Sequence, residues 1–187
     1  MSHQNLKFES LLAGTNMIPV MVIKDIAQAV PLARELVKSG MKVLEITLRT
    51  DCALQAIKEI IVHVPEAIVG AGTVTTPQQL RDAQAAGAAF AVSPGSTDAL
   101  IAAADETGLP LLPGVATASE AMKLQALGYR YLKLFPAEAV GGRALLKSLQ
   151  GPLPDLKFCP TGGITSDSAA DYLALGNVVC VGGSWMI

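Results

Sequence analysis

The run Tyr129-Arg130-Tyr131-Leu132-Lys133-Leu134-Phe135-Pro136-Ala137-Glu138 has the makings of a β-strand, with aromatic and aliphatic residues set between Gly128 and Pro136. Side chains alternate across a strand, so Tyr131, Lys133 and Phe135 share one face and Leu132 and Leu134 the other. Lys133 therefore stands in an apolar strand with no acidic residue within four positions. An ammonium buried there without a partner is costly, and its usual relief is loss of the proton. A neutral lysine amine is a nucleophile towards ketones. On this run alone, a lysine that snorkels from a strand end to water explains the residue as well.

The same kind of strand recurs along the chain. Strands are expected at Met17–Ile23, Met41–Leu48, Ile68–Ala71, Ala88–Val92, Leu109–Leu112, Tyr129–Phe135, Leu156–Cys159 and Asn177–Val181. Helical spacing fills the gaps, after a short leading helix at Gln4–Ala13. Ile26–Lys38 closes at Gly40, Asp51 is placed to cap a helix running to about His63, and Thr76-Pro77 opens the next with proline at its first position. Helices follow from Thr97 to Glu106, from Thr117 with a capping-box Glu120 to Leu127, from about Gly142 to Leu149, and from Asp167 to Leu175. Strands alternating with helices imply parallel pairing, and eight strands with seven intervening helices point to an α/β fold, a (β/α)₈ TIM barrel. A doubly wound open sheet is less well supported, because no GxGxxG follows the first strand. The eighth helix is expected to be missing, since the chain stops at Ile187 just after the eighth strand. No linker or low-complexity segment divides the 187 residues, so residues 1–187 read as a single domain.

Composition narrows the function. The chain is 51% hydrophobic and only 16% charged, against a usual charged share of about 25%, which suggests faces covered in a homo-oligomer. A net charge of −2 without a Lys/Arg cluster argues against nucleic acid. The polar start, Met1 to Ser10, has no apolar core of signal-peptide length, and no apolar run approaches a bilayer span. Cys52, Cys159 and Cys180 lack CxxC spacing and read as small buried residues of a reduced, cytoplasmic protein. With only His3 and His63, a dedicated zinc site has little support.

Barrel function gathers where strands end. On the second strand Val43, Glu45, Thr47 and Arg49 share one face, and the aliphatic Leu44, Ile46 and Leu48 share the face that suits the helix layer. Glu45 and Arg49 should therefore point inwards, where Glu45 and Lys133 can trade protons; a purely structural ion pair is the alternative. Arg49 is suited to grip a carboxylate bidentately. Thr73, Pro94 and Thr161 lie at other strand ends, where turn-making or strand-ending explains them too. Thr161-Gly162-Gly163 and Gly182-Gly183-Ser184 follow the seventh and eighth strands, the loops that commonly hold phosphate in such barrels.

Taken together, Leu44-Glu45-Ile46-Thr47-Leu48-Arg49, Gly70-Ala71-Gly72-Thr73-Val74, Ser93-Pro94-Gly95, Lys133-Leu134-Phe135-Pro136-Ala137-Glu138, Cys159-Pro160-Thr161-Gly162-Gly163-Ile164 and Gly182-Gly183-Ser184-Trp185 resemble the KDPG (2-dehydro-3-deoxy-phosphogluconate) and 4-hydroxy-2-oxoglutarate aldolase family over essentially the whole chain. The resemblance implies a class I aldolase working through a Schiff base, with no metal and no organic cofactor. Lys133 would form the imine and Glu45 act as general acid/base. Arg49, Thr73 and Pro94 would line the carboxylate end with Phe135 beside them, Thr161 would contact a hydroxyl, and Gly162, Gly163, Gly183 and Ser184 would take the phosphate. A cytoplasmic homotrimer in the Entner–Doudoroff route is implied as well, and which of the two substrates is preferred stays open. A non-catalytic phosphosugar-binding barrel is the alternative from another class, and an isomerase or synthase a third.

Overall fold

The computed structural model describes the backbone from His3 to Ile187 and side chains from Phe8 onward, so the side chain of His3 lies outside the described residues. Helix α1 (His3–Leu12) leads into strand β1 (Met17–Met21), followed by α2 (Ile26–Lys38), β2 (Val43–Thr47), α3 (Ala53–His63) and β3 (Ile68–Gly72). Then come α4 (Pro77–Ala85), β4 (Phe90–Val92), α5 (Asp98–Thr107) and two short strands, β5 (Leu111–Leu112) and β6 (Gly114–Val115). The chain continues through α6 (Ala118–Ala126), β7 (Tyr131–Leu134), α7 (Gly142–Gln150), β8 (Lys157–Pro160), α8 (Ser166–Leu173) and β9 (Val181–Gly183).

Every strand pairing is parallel, in the orders β5-β4-β3-β2-β1-β9 and β6-β7-β8. The two sheets meet at both ends. At one, the extended run around Pro113 changes partners: Ser93 N–H donates to Leu112 O at 3.2 Å, and Lys133 N–H donates to Pro113 O at 2.9 Å. At the other, parallel bridges Phe158↔Val178 and Thr161↔Gly182 join β8 to the run that becomes β9. The result is a TIM-barrel-like α/β fold rather than an open sheet.

Three expectations shift for local reasons. The fifth strand, expected to end at Leu112, runs past Pro113 as β6, because a proline lacks a donor but its carbonyl still pairs with Lys133. The last strand is expected at Asn177–Val181 but becomes regular only at Val181, since its two bridges to the β8 side differ in register by one residue. Asp51 does not cap α3. Cys52 holds that position without a side-chain cap, and Thr50 and Cys52 donate instead to Ile23 O at 2.6 and 3.2 Å.

Alternation sorts the core into two layers. Leu44, Ile46, Leu132 and Leu134 pack with the helices, while Ile18, Val43, Phe90, Val92, Leu112, Cys159 and Cys180 fill the space enclosed by strands. Phe8 and Leu12 of α1 join this inner cluster, and the Phe8 ring lies edge-on to Phe90 with centroids 6.4 Å apart. Helix α1 thus seals the end where the strands begin, which leaves the opposite end for chemistry.

The capping box of α6 forms as the sequence leads one to expect: Glu120 N–H donates to Thr117 Oγ1 at 3.3 Å, and Glu120 Oε2 accepts from the Thr117 N–H at 2.9 Å. The Ala116 N–H is the main cause that holds the Glu120 carboxyl below its ordinary 4.5, partial burial opposing it and Thr117 adding to it. A carboxyl lowered in the folded state stabilises fully above its unfolded value, and that contribution fades as pH falls through the folded one. Thr117→Ala should cost about 1 kcal/mol in urea unfolding. Wild type and Glu120→Gln should differ in stability near neutral pH and converge well below pH 4.5.

Candidate active site

The ends of the strands opposite α1 surround a cavity of about 360 Å³. Two strands, β2 and β7, bring their inward residues together inside it: Lys133 Nζ lies 3.6 Å from Glu45 Oε1, with the two side chains only 6% and 4% exposed. Glu45 Oε1 is buried without a hydrogen-bond partner. Removing water from both groups costs several kcal/mol per ion, and their mutual attraction repays this only in part. A pair so placed adds little to stability. It leaves a basic nitrogen and an uncommitted carboxylate oxygen facing the same space.

Room for that carboxylate comes from β3. A Cβ built on Gly72 would lie 2.2 Å from Glu45 Oε1 and 2.6 Å from its Cγ, so only a residue without a side chain fits opposite Glu45. Next in the chain, Thr73 has φ 58°, a left-handed conformation unusual for a β-branched residue, and its position is fixed by the following Val74 N–H donating to Val92 O at 3.1 Å. Such conformations cluster at functional sites and cost of order 1–3 kcal/mol. Phe135 lies beside the lysine, its ring centroid 5.0 Å from Nζ.

Arg49, Thr73, Pro94, Phe135 and Thr161 all line the cavity, as do Gly162, Gly163, Gly183 and Ser184. The structure thus brings these residues together around one cavity with Glu45 and Lys133. Arg49 is exposed at the mouth, whereas Thr161 is buried. The two glycine loops meet through the Thr161↔Gly182 bridge. Gly162 and Gly163 take φ 102° and 80°, which turns their loop in a way that favours glycine. Val20 and Ile164 also line the cavity and were not foreseen. The inward phase of β1, shared by Ile18 and Val20, was the available signal for the first. Ile164 directly follows the glycine pair.

The neighbouring Cys159 thiol, with burial and then the Glu45 carboxylate, pushes the Cys180 thiol well above its ordinary range, so it keeps its proton. Among the described residues no group of three or more His, Cys, Asp or Glu side chains is placed to hold a metal ion. Among them, too, no helix is long and apolar enough to cross a membrane.

A buried lysine and carboxylate thus stand at the open end of a TIM-barrel-like fold, with glycine loops beside them. Residues 8–187 match the KDPG and KHG aldolase family. The chain is 52% identical to 2-dehydro-3-deoxy-phosphogluconate aldolase of Dickeya dadantii over 96% of its length and 84% of that protein. The crystal structure of KDPG aldolase from Legionella pneumophila, with pyruvate captured at low pH as a covalent carbinolamine intermediate, superposes with a TM-score of 0.91 at 49% identity, covering 94% of this chain and 85% of that one. The 2-keto-3-deoxy-6-phosphogluconate aldolase of Zymomonas mobilis with 3-phosphoglycerate gives 0.91 at 50% identity, covering 95% and 84%. The chain belongs to the KDPG and KHG aldolase family.

The fit at Gly72 is directly testable. Gly72→Ala should displace the Glu45 carboxylate and lower aldol cleavage by about tenfold or more, with the far-ultraviolet circular dichroism retained. Unchanged turnover would mean that Glu45 does not need this position.

Proposed function

We propose that this protein is a class I aldolase that reversibly cleaves 2-dehydro-3-deoxy-6-phosphogluconate to pyruvate and D-glyceraldehyde 3-phosphate, and that it also accepts 4-hydroxy-2-oxoglutarate, giving pyruvate and glyoxylate. The observation that carries this reading is the buried Lys133 nitrogen 3.6 Å from a carboxylate oxygen that has no other partner. Family membership and the carbinolamine captured in the Legionella relative support it.

The chemistry follows from the placement. With the proton of the Lys133–Glu45 pair passed to Glu45, the Lys133 amine attacks the C2 ketone to give a carbinolamine, and Glu45 returns that proton to the departing hydroxyl, so that water leaves and a cationic imine remains. That cation is an electron sink. Glu45 takes the proton of the C4 hydroxyl, directly or through one water, and the C3–C4 bonding electrons flow into the imine. The aldehyde departs, the enamine is protonated at C3, and water releases pyruvate and restores the amine. Neither a metal nor an organic cofactor is assigned a part.

Substrate holding is part of the same proposal. Arg49, with Thr73 and Pro94, receives the carboxylate, and Phe135 packs beside the three-carbon unit. Thr161 contacts a hydroxyl, while main-chain N–H groups of Gly162, Gly163 and Gly183 and the Ser184 hydroxyl receive the phosphate. The chain is read as one (β/α)₈ domain, working in the cytoplasm as a homotrimer in the Entner–Doudoroff route. The low charged share, 16%, supports association of copies.

Borohydride reduction with pyruvate tests the imine. The wild type should gain a pyruvyl-derived adduct on Lys133, seen by peptide mass spectrometry, and Lys133→Ala should gain none and lose cleavage. Glu45→Gln should still be trapped, while its turnover falls by roughly 10²–10⁴-fold. An unmodified wild-type chain would instead indicate a phosphosugar-binding barrel.

A further inference from the structure

The loop that carries Gly162 and Gly163 is fastened from one side by Glu138, five residues beyond Lys133 on the same run. Two main-chain bonds begin the attachment: Ala137 N–H donates to Thr161 O at 2.8 Å, and Glu138 N–H donates to Gly162 O at 3.1 Å. The side chain of Glu138 then presses against Gly163, where a Cβ would lie 2.7 Å from its Cβ and 2.8 Å from its Cγ. Its carboxylate accepts a short hydrogen bond from the hydroxyl of Tyr172. Tyr172 is fully buried on α8, the helix into which the glycine loop runs. Its hydroxyl occupies the space over Gly142, where a Cβ would come within 2.4 Å. Burial first, and then the Glu138 carboxylate, raise the phenol far above its ordinary value, so Tyr172 remains a donor. Beside this bond Arg143 of α7 pairs with Asp171 of α8.

These contacts join three elements at one point: the turn after β7, the glycine loop and α8. The loops Thr161–Ile164 and Gly182–Trp185 contain no cation. An anion held there depends on the aim of main-chain N–H groups, and hence on the shape of the loop. A Glu138 carboxylate released from Tyr172 would also stand as a loose negative charge beside the anion.

We propose that Glu138 and Tyr172 are positioning residues whose hydrogen bond holds the Gly162–Gly163 loop in its phosphate-receiving shape, and so sets the preference for phosphorylated over unphosphorylated 2-oxo acids. The proposal rests on the assignment of the phosphate to this loop. Steady-state cleavage of 2-dehydro-3-deoxy-6-phosphogluconate and of 4-hydroxy-2-oxoglutarate by Tyr172→Phe, Glu138→Ala, Glu138→Gln and Ser184→Ala tests both. Tyr172→Phe and Glu138→Ala should raise KM for the phosphorylated substrate about fivefold or more relative to the unphosphorylated one, with kcat moving less than KM. Glu138→Gln keeps an oxygen that accepts from Tyr172, and should restore the wild-type ratio of KM values. Ser184→Ala should show the same selective rise.

If Ser184→Ala weakens both substrates alike, the phosphate assignment fails and takes this proposal with it. If Ser184→Ala is selective while Glu138→Ala and Tyr172→Phe are not, the phosphate assignment stands and the positioning role is overturned. Should Tyr172→Phe fail to fold, the contrast between Glu138→Ala and Glu138→Gln decides, and equal KM ratios for these two contradict the proposal.

Discussion

A lysine nitrogen and a carboxylate oxygen held 3.6 Å apart, almost out of reach of water, are the constraint around which this molecule is arranged. In such surroundings charge interactions are far stronger than in solution, and an unpartnered polar group is costly. The protein meets that cost with geometry. Gly72 leaves the volume that the Glu45 carboxylate occupies, and Phe135 puts a ring face near the nitrogen. Helix α1 closes the far end of the enclosed space with Phe8 and Leu12. The polar pair therefore meets solvent and substrate only from the end where the loops gather.

The two halves of the proposed substrate are met by different physics. At the covalent end there are side chains with strong acid–base character, buried and fixed by strand pairing. At the end proposed to take the phosphate there are glycine backbones and one serine, whose affinity for an anion depends on orientation. One run of chain links the two, since β7 carries Lys133 and its continuation carries Glu138, which bonds to Gly162 and packs on Gly163. A shift of that run would move the Lys133 nitrogen and the glycine loop together. This gives a physical reason for both ends of an extended substrate to be registered against a single strand.

Much of this was legible from residue order. Alternation placed Glu45 and Lys133 on inward faces because their strand neighbours, Leu44, Ile46, Leu132 and Leu134, are purely aliphatic and pack with the helices. The glycine pairs were legible through their positions after the last two strands. What could not be read is pairwise and non-local. The collision that a side chain on Gly72 would make with Glu45, and the seating of Glu138 on Gly163, arise between segments distant in sequence or across a loop. Strand limits were lost where hydrogen bonding changes partner, at Pro113 and before Val181, because periodicity does not report which neighbour a strand faces. Asp51 has a good capping side chain, yet the entry into α3 is fixed by bonds from Thr50 and Cys52 to Ile23.

On this reading the Lys133 nitrogen becomes covalently bound to the ketone carbon with Glu45 in proton-transfer reach. A high-resolution crystal structure of the wild-type protein soaked with pyruvate tests it most directly. Continuous density should run from Lys133 Nζ to pyruvate C2, with a Glu45 oxygen within hydrogen-bond distance of the adduct or joined to it by one water. Pyruvate bound without a covalent link, or a link to another lysine, would contradict it.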